Sequence, residues 1–383
     1  MAALTQAGLV LYSPAFLAIA NQFHSTSSLV EFTLTVYLFG FGFSQLFYGI
    51  LSERYGRKKL ALVGMVIFSA GCLWSIFAQS YISFLVSRVV QGIGAGSCMV
   101  LTRTIVRDCF TGSDYVRAIT YLSSGFAFGL GFTPVIGGYL LEFFSWRAEF
   151  VFLLLCGLAL LVCEGLLLPE TRPMIPKLPL KKFCRQTVTD LLTTLKSKHF
   201  FLCLLGGVCA YSVIIAYNTG TPFLFQKTLG YSPSVYGWLT FIIAGIYYLS
   251  TTANRFFLKR FKIKRILEAG ITLMFIAGMS MLLIKLFFNS LNLYVVFIPL
   301  MIATFGQALV WSVSVAFSLK GLSHIAGIAA ALFSFFQMLL SALISGLIAI
   351  PHESSQIPLA IVIIVLAIVA WINFQHVDFQ VEI

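Results

Sequence analysis

The chain has 383 residues, 59% of them hydrophobic and only 10% charged, with a mean hydropathy of +0.96. A soluble domain carries about 25% charged residues, so a water-covered surface is excluded and lipid is the solvent for most of this chain. The net charge of +12 would suggest nucleic acid in a soluble protein. Here it is assigned to basic loops between membrane spans, and no nucleic-acid partner is expected.

Twelve stretches reach the roughly 20 apolar residues that a helical span requires. In chain order they are 2–22, 30–51, 60–78, 82–104, 115–141, 148–168, 200–224, 233–256, 266–287, 291–318, 323–349 and 356–374. Lipid cannot satisfy backbone polar groups, so the spans are helices; a barrel would show shorter alternating segments. The first stretch lacks a basic leader and is read as helix 1 itself. Lys and Arg then set the orientation. All except Arg88, Arg147, Lys227 and Lys285 fall in the loops after spans 2, 4, 6, 8 and 10. Arg103, Arg107 and Arg117 are counted to the second of these loops and Lys320 to the last. The basic side, with both termini, is therefore expected in the cytoplasm.

The longest polar stretch, 169–199, holds Pro169, Pro173, Pro176 and Pro179. It divides the chain into a six-helix bundle over 1–168, a cytoplasmic linker, and a second six-helix bundle over 200–383. Basic loops at 53–59 and 255–265 follow the second helix of each half, a weak internal repeat. The expected fold is an all-α membrane protein of two pseudo-symmetric bundles.

Cys72, Cys98, Cys156, Cys163, Cys203 and Cys209 lie in apolar runs, while Cys109 and Cys184 fall in basic loops. Free thiols are expected. No pair has zinc-ligand spacing beside histidines, so no metal is expected, and no cofactor. HExxH, GxSxG and Walker sequences are missing, which argues against a membrane enzyme or direct use of ATP.

Residues 49–59, GILSERYGRKK, place Gly49, Glu53, Arg54, Gly56, Arg57 and Lys58 at a spacing where Gly56 permits a tight turn and Glu53 can pair with a nearby arginine. Position by position, this resembles the loop between helices 2 and 3 that marks the major facilitator superfamily. The resemblance implies a gate that latches the two halves on the cytoplasmic face. In span 4, Arg88, Gln91 and Gly92 resemble the family's R-x-x-Q-G motif. A charge within a span is costly, about 2.5–3.5 kcal/mol on insertion scales. Arg88 either snorkels to the interface or faces the central cavity in proton coupling or substrate binding. The run from Gly92 to Gly96 lacks the preceding strand of a dinucleotide loop and is read as close helix packing.

Span 5 carries GFAFGLGFTPVIGG. Gly125, Gly129, Pro134, Gly137 and Gly138 resemble the antiporter motif, with Thr133 where the family usually has glycine. SWR at 145–147, the stretch from Thr102 to Asp108, and residues 218–238 and 326–337 are similar to the bicyclomycin-resistance (Bcr/CflA) branch of drug:proton antiporters. The resemblance covers nearly the whole chain. It implies a secondary transporter of small organic compounds, acting by alternating access as a proton-coupled, multidrug-type exporter in the inner membrane, and a monomer. One departure stands out: the helix-1 carboxylate of that branch is Val10 here, and Glu31, Glu164 and Glu268 sit at helix ends. That leaves open an importer or exporter of one metabolite or siderophore, without coupling through a buried acid. With no mid-membrane acid in view, neutral or anionic amphipathic substrates are expected over permanent cations. Tyr37, Gln45, Asn218, Gln307 and Gln337 are read either as cavity residues or as helix–helix hydrogen bonds.

Overall fold

The computed structural model describes residues 1–171, 179–289, 291–318, 326–349 and 355–376, and these are almost entirely helical. Pro173 and Pro176 of the linker, with Arg172 and Lys177, lie outside the described residues, as does Lys320.

The first span is broken. Helix α1 (Ala2–Val10) gives way to a 3-10 turn at Ser13–Ala15 before α2 (Phe16–Gln22) resumes. Pro14 is the cause, since it has no N–H to give and its ring clashes with the carbonyl four residues back. The Ser13 hydroxyl compensates by donating to the Val10 carbonyl at 2.8 Å. Long helices follow: α3 (Ser27–Tyr55), α4 (Arg57–Phe77), α5 (Tyr81–Cys109), α6 (Gly112–Phe143) and α7 (Trp146–Leu167). After the amphipathic α8 (Leu180–Lys196) come α9 (Lys198–Phe223), α10 (Pro233–Arg260), α11 (Ile263–Phe288), α12 (Leu293–Ser318), α13 (Ala326–Ile348) and α14 (Ile357–Gln375). Thr26, Ser80, Ser197 and Ser232 start α3, α5, α9 and α10 by accepting from the backbone N–H three residues on, which satisfies a donor left over at each helix start.

Among the described residues, eleven segments are long and apolar enough to span a membrane, taking α1 and α2 as one. The 28-residue α10, placed among the twelve spans by the sequence reading, is not one of these eleven; its tyrosines, threonines, serines and basic end make it more polar than the rest. The spans reproduce the sequence reading with one consequential change. Helix α5 runs on to Cys109 and α6 begins at Gly112, so Arg103, Arg107 and Arg117, all counted to the loop between them, lie inside helices.

In one bundle α3, α4 and α5 pack together, α7 packs on α4, and α1 packs against α5 and α6. In the other, α9 packs against α12, α13 and α14, and α11 against α12 and α14. Two pairings join the bundles: α6 with α10, and α3 with α13. Small residues set both. A Cβ added to Gly138 would stand 2.6 Å from the Pro233 carbonyl oxygen, and one on Gly42 would stand 2.9 Å from the Met338 Cβ. Contacts this close depend on the missing side chain.

Candidate functional site

The 53–59 loop is built from one turn. Gly56 ends α3 at φ +101°, a conformation that L side chains rarely adopt. Its Cβ position is filled by Glu170 Oε2. Glu170 accepts from the Arg57 backbone N–H at 2.8 Å. The Arg57 side chain is buried, donates to Asp108 at 3.1 Å and also bonds the Ser52 hydroxyl. Lys58 donates to the Gly165 carbonyl at 2.8 Å, and Arg54 lies over the Phe183 ring of α8.

The sequence assigns an arginine partner to Glu53, yet the carboxylate bonded to Arg57 is Asp108, at the end of α5. Glu53 lies instead within reach of the Arg57 and Arg107 charges. A Cβ added to Gly327 of α13 would meet Arg107 Nη1 at 3.3 Å and Glu53 Oε1 at 3.5 Å. The loop therefore touches the opposite bundle. Gly49 is nearby on the same crossing, facing Ala331.

Arg88 is fully buried inside the first bundle. It neither snorkels nor faces a cavity between the bundles. Its guanidinium is sandwiched 4.0 Å from the Tyr12 ring and 4.4 Å from the Tyr37 ring. It donates to the Gly8 carbonyl at 3.0 Å and to the side-chain oxygen of Gln91. Gln91 in turn donates to Cys72 Sγ at 2.9 Å. Gly92 lets this part of α5 lie against α3, since a Cβ there would collide with the Tyr37 carbonyl oxygen.

Beside this chamber is an acid that the sequence reading passed over. Glu149, in the first turn of α7, is 0% exposed, and neither carboxylate oxygen has a hydrogen-bond partner. Arg88 is the charge that acts on it, without a direct ion pair. Tyr12 feels both groups. An acid in a first turn reads as a solvated helix end. Here Trp146, Phe150, Phe84 and Phe23 close over that end, with ring centroids 5.5–6.0 Å apart. The signal was available: Glu149 shares its helix face with Leu153 and Gly157, the face that packs inward. Arg147, next to it, donates to the Ile76 and Ala78 carbonyls and so ties the start of α7 to the end of α4.

The antiporter-motif residues join these parts. Gly129 lies against Ala3 of α1. Gly137 faces the Leu11 carbonyl, with Glu149 Oε1 3.4 Å from its Cβ position. Gly138 faces α10, and Pro134, inside α6, presents its carbonyl to Gly237. Thr133 returns its hydroxyl to the Gly129 carbonyl. Gly125 lies half-buried on the same helix.

Between the bundles is a small cavity whose lining includes Gln6, Leu130, Tyr211, Ile214, Asn218 and Tyr247. Of the five sequence-read cavity residues, Asn218 lines it. The other four are buried elsewhere: Tyr37 over Arg88, Gln45 on α3, Gln307 on α12 and Gln337 on α13.

The sequence matches the Major Facilitator Superfamily over residues 1–346, and the chain belongs to that family. It is 29% identical over 370 residues to the uncharacterized MFS-type transporter YdgK of Bacillus subtilis, covering 95% of this chain and 90% of that one. It is 24% identical over 279 residues to a bicyclomycin resistance protein homolog of Haemophilus influenzae, covering 73% and 70%. The fold matches the xylose transporter XylE from E. coli in a partially occluded inward-open conformation, with TM-score 0.75 at 16% identity over 100% of this chain and 96% of that one. The protein is thus a multi-pass membrane transporter of the major facilitator superfamily, resembling its bicyclomycin-resistance branch.

Proposed function

We propose that the protein is a proton-coupled exporter of small organic compounds, with Glu149 as the proton carrier and Arg88 as its electrostatic partner. The observation that carries this reading is the Glu149 carboxylate, buried without a single hydrogen-bond donor beside a buried arginine. A bare carboxylate in such a place is strongly disfavoured, so a proton or a neighbouring cation must compensate it. Arg88 is held at a fixed place by two rings and two acceptors, where it can take over as counter-charge when the proton leaves. The acid that Val10 does not supply on helix 1 is supplied from α7.

Residues 1–168 and 200–383 act as the two moving bundles, joined by the 169–199 linker. Opening on one side requires the Glu53–Arg107–Gly327 contact to part, and opening on the other requires α6 and α10 to separate near Gly138. Both termini and the basic loops are cytoplasmic in this reading, and the molecule works as a monomer in the inner membrane. Export is favoured over import by the antiporter-motif residues at the α6–α10 crossing and by the resistance-named relative.

Inside-out vesicles loaded with the protein provide the test. With an imposed pH gradient, wild type should accumulate a neutral phenicol. Glu149→Gln should lose gradient-driven accumulation while still exchanging preloaded phenicol. Gradient-driven accumulation by Glu149→Gln at the wild-type level would overturn the coupling role, and accumulation only in right-side-out vesicles would overturn the direction.

A further inference from the structure

The cavity between the bundles takes its wall from both of them. Gln6 of α1 and Leu130 of α6 come from the first bundle, and Tyr211 and Asn218 of α9 with Tyr247 of α10 come from the second. Such a cavity widens when the bundles separate and closes when they meet. Among the described residues none that lines it carries a formal charge at neutral pH. Arg103 is near Tyr211 and Tyr247 but is not part of the wall. An ionic cargo would therefore enter without a counter-charge in contact, which is severely penalised away from water.

One atom in this wall makes a fixed demand. Asn218 is 1% exposed. Its Nδ2 donates to the Ile214 carbonyl at 2.9 Å, one turn back on the same helix. A carbonyl can only accept, so the amide cannot be turned the other way round. That leaves Oδ1 as the free end of the side chain, buried and without a hydrogen-bond partner. Oδ1 can only accept, whereas the Gln6 amide and the two phenols can each donate or accept. What the wall lacks is therefore a donor, and an N–H or O–H supplied by the cargo meets that lack. A buried acceptor left unmet is destabilising, and such groups ordinarily have a partner. The apolar remainder of the wall, Leu130 and the faces of Phe126, Tyr211 and Tyr247, suits an aromatic body.

We infer that this cavity binds uncharged aromatic compounds bearing a hydroxyl or an N–H, and that Asn218 Oδ1 selects them by accepting from that group. This rests on the reading of the protein as a transporter with a central site, and it narrows the cargo from small organic compounds in general to neutral hydrogen-bond donors. It places cargo selection on Asn218 and leaves Arg88 and Glu149, sealed inside the first bundle, to the proton.

The test is equilibrium binding to purified protein in detergent, without a gradient, read by calorimetry. The probes are naphthalenemethanol, its methyl ether, a naphthalene carboxylate and a naphthylmethyl trimethylammonium ion. The alcohol should bind about fivefold or more tightly than the ether, the size of one hydrogen bond to a buried acceptor, and more tightly than either ion. Asn218→Leu keeps a similar volume and removes the acceptor, so it should erase the preference over the ether and leave ether binding unchanged. A preference set by size alone would persist in that variant. Leu130→Trp should crowd the cavity and weaken alcohol and ether alike. If Asn218→Leu does not purify as a monodisperse species, Asn218→Ala reads the same loss, and the wild-type protein alone still ranks the four probes. No binding of the alcohol, equal binding of alcohol and ether, tighter binding of either ion, an undiminished preference in the Asn218 variants, or unchanged binding in Leu130→Trp would overturn the assignment. Glu149→Gln should keep the preference for the alcohol. Gradient-driven accumulation by that variant at the wild-type level refutes the coupling role alone, and equal binding of alcohol and ether refutes the cargo class alone.

Discussion

The two bundles share an architecture and differ in what they bury. Every charged residue that is buried among the described residues (Glu31, Arg57, Arg88, Glu149 and Glu164) belongs to the first half. The second half buries amides and hydroxyls instead, among them Asn218, Gln307, Gln337 and a hydroxyl pair between Tyr217 and Thr240 at 2.9 Å. A buried charge can be switched by moving one proton, whereas a buried amide offers shape and hydrogen bonds but no switch. In the proposed function, coupling therefore falls to the first bundle, and the second contributes the aromatic and polar wall of the cavity.

The strongest way to break that comparison is at Arg88. Arg88→Ala leaves Glu149 with no compensating charge in the chamber. It also strips the Gly8 carbonyl and the Gln91 side chain of their donor and empties the space between the Tyr12 and Tyr37 rings; a buried polar group left unsatisfied costs about 1–3 kcal/mol, so a clear drop in thermal unfolding temperature in detergent is expected together with loss of transport. Arg88→Lys should restore part of the stability but not the transport. A lysine cannot lie flat between the Tyr12 and Tyr37 rings while donating to both Gly8 and Gln91. Normal transport by Arg88→Lys would show that only a positive charge is needed there.

An intermediate effect is expected at the basic face. Gly56→Val forces a β-branched residue into φ +101° and drives its Cβ onto Glu170. A strained backbone of this kind costs about 1–3 kcal/mol, enough to displace the turn and the Arg57–Asp108 pair with it. Turnover in reconstituted vesicles should fall several-fold, while the affinity for a bound phenicol changes little, because the loop is remote from the cavity. Wild-type turnover would remove the gating role from this loop and with it the idea that the first bundle carries the latch.

How far these parts were legible follows from what each depends on. Helix number and the small-residue crossings are written in composition and spacing, because lipid leaves few other solutions. The Gly56 turn is equally local. Arg103 was misplaced because apolarity fades two turns before the helix ends: α5 continues through Thr102, Arg103 and Thr104 on backbone hydrogen bonds and interhelical packing, which hydropathy does not register. Glu149 was missed for the opposite reason. It stands two residues after Arg147 at a helix start, where a carboxylate is ordinarily solvated, and only the closure of four aromatic rings, from Phe23 just past α2 and from α5 and α7, removes the water. The partner of Arg57 lay 51 residues away in the chain, a distance at which no local pattern speaks. The break at Pro14 was within reach of the proline rule, yet the sequence reading took 2–22 as one continuous helix.

The smallest effect is expected in the second bundle, at Gln307. Both polar atoms of its amide are buried without a partner, and it lies on α12 beside the Gly306–Gly270 crossing. A buried amide that makes no hydrogen bond carries its desolvation cost, about 1–3 kcal/mol, with nothing in return. Leucine fills a similar volume without that cost. Gln307→Leu should therefore leave the unfolding temperature unchanged or raise it slightly, and transport should continue with its dependence on the pH gradient intact. The measurement is the pair of values, stability in detergent and gradient-driven accumulation in vesicles. Should stability hold while accumulation collapses, the amide meets its partner only during transport, in another conformation or in the bound cargo. The second bundle would then take part in more than lining the cavity, and the division of labour between the halves would have to be redrawn around Gln307 as well as Glu149.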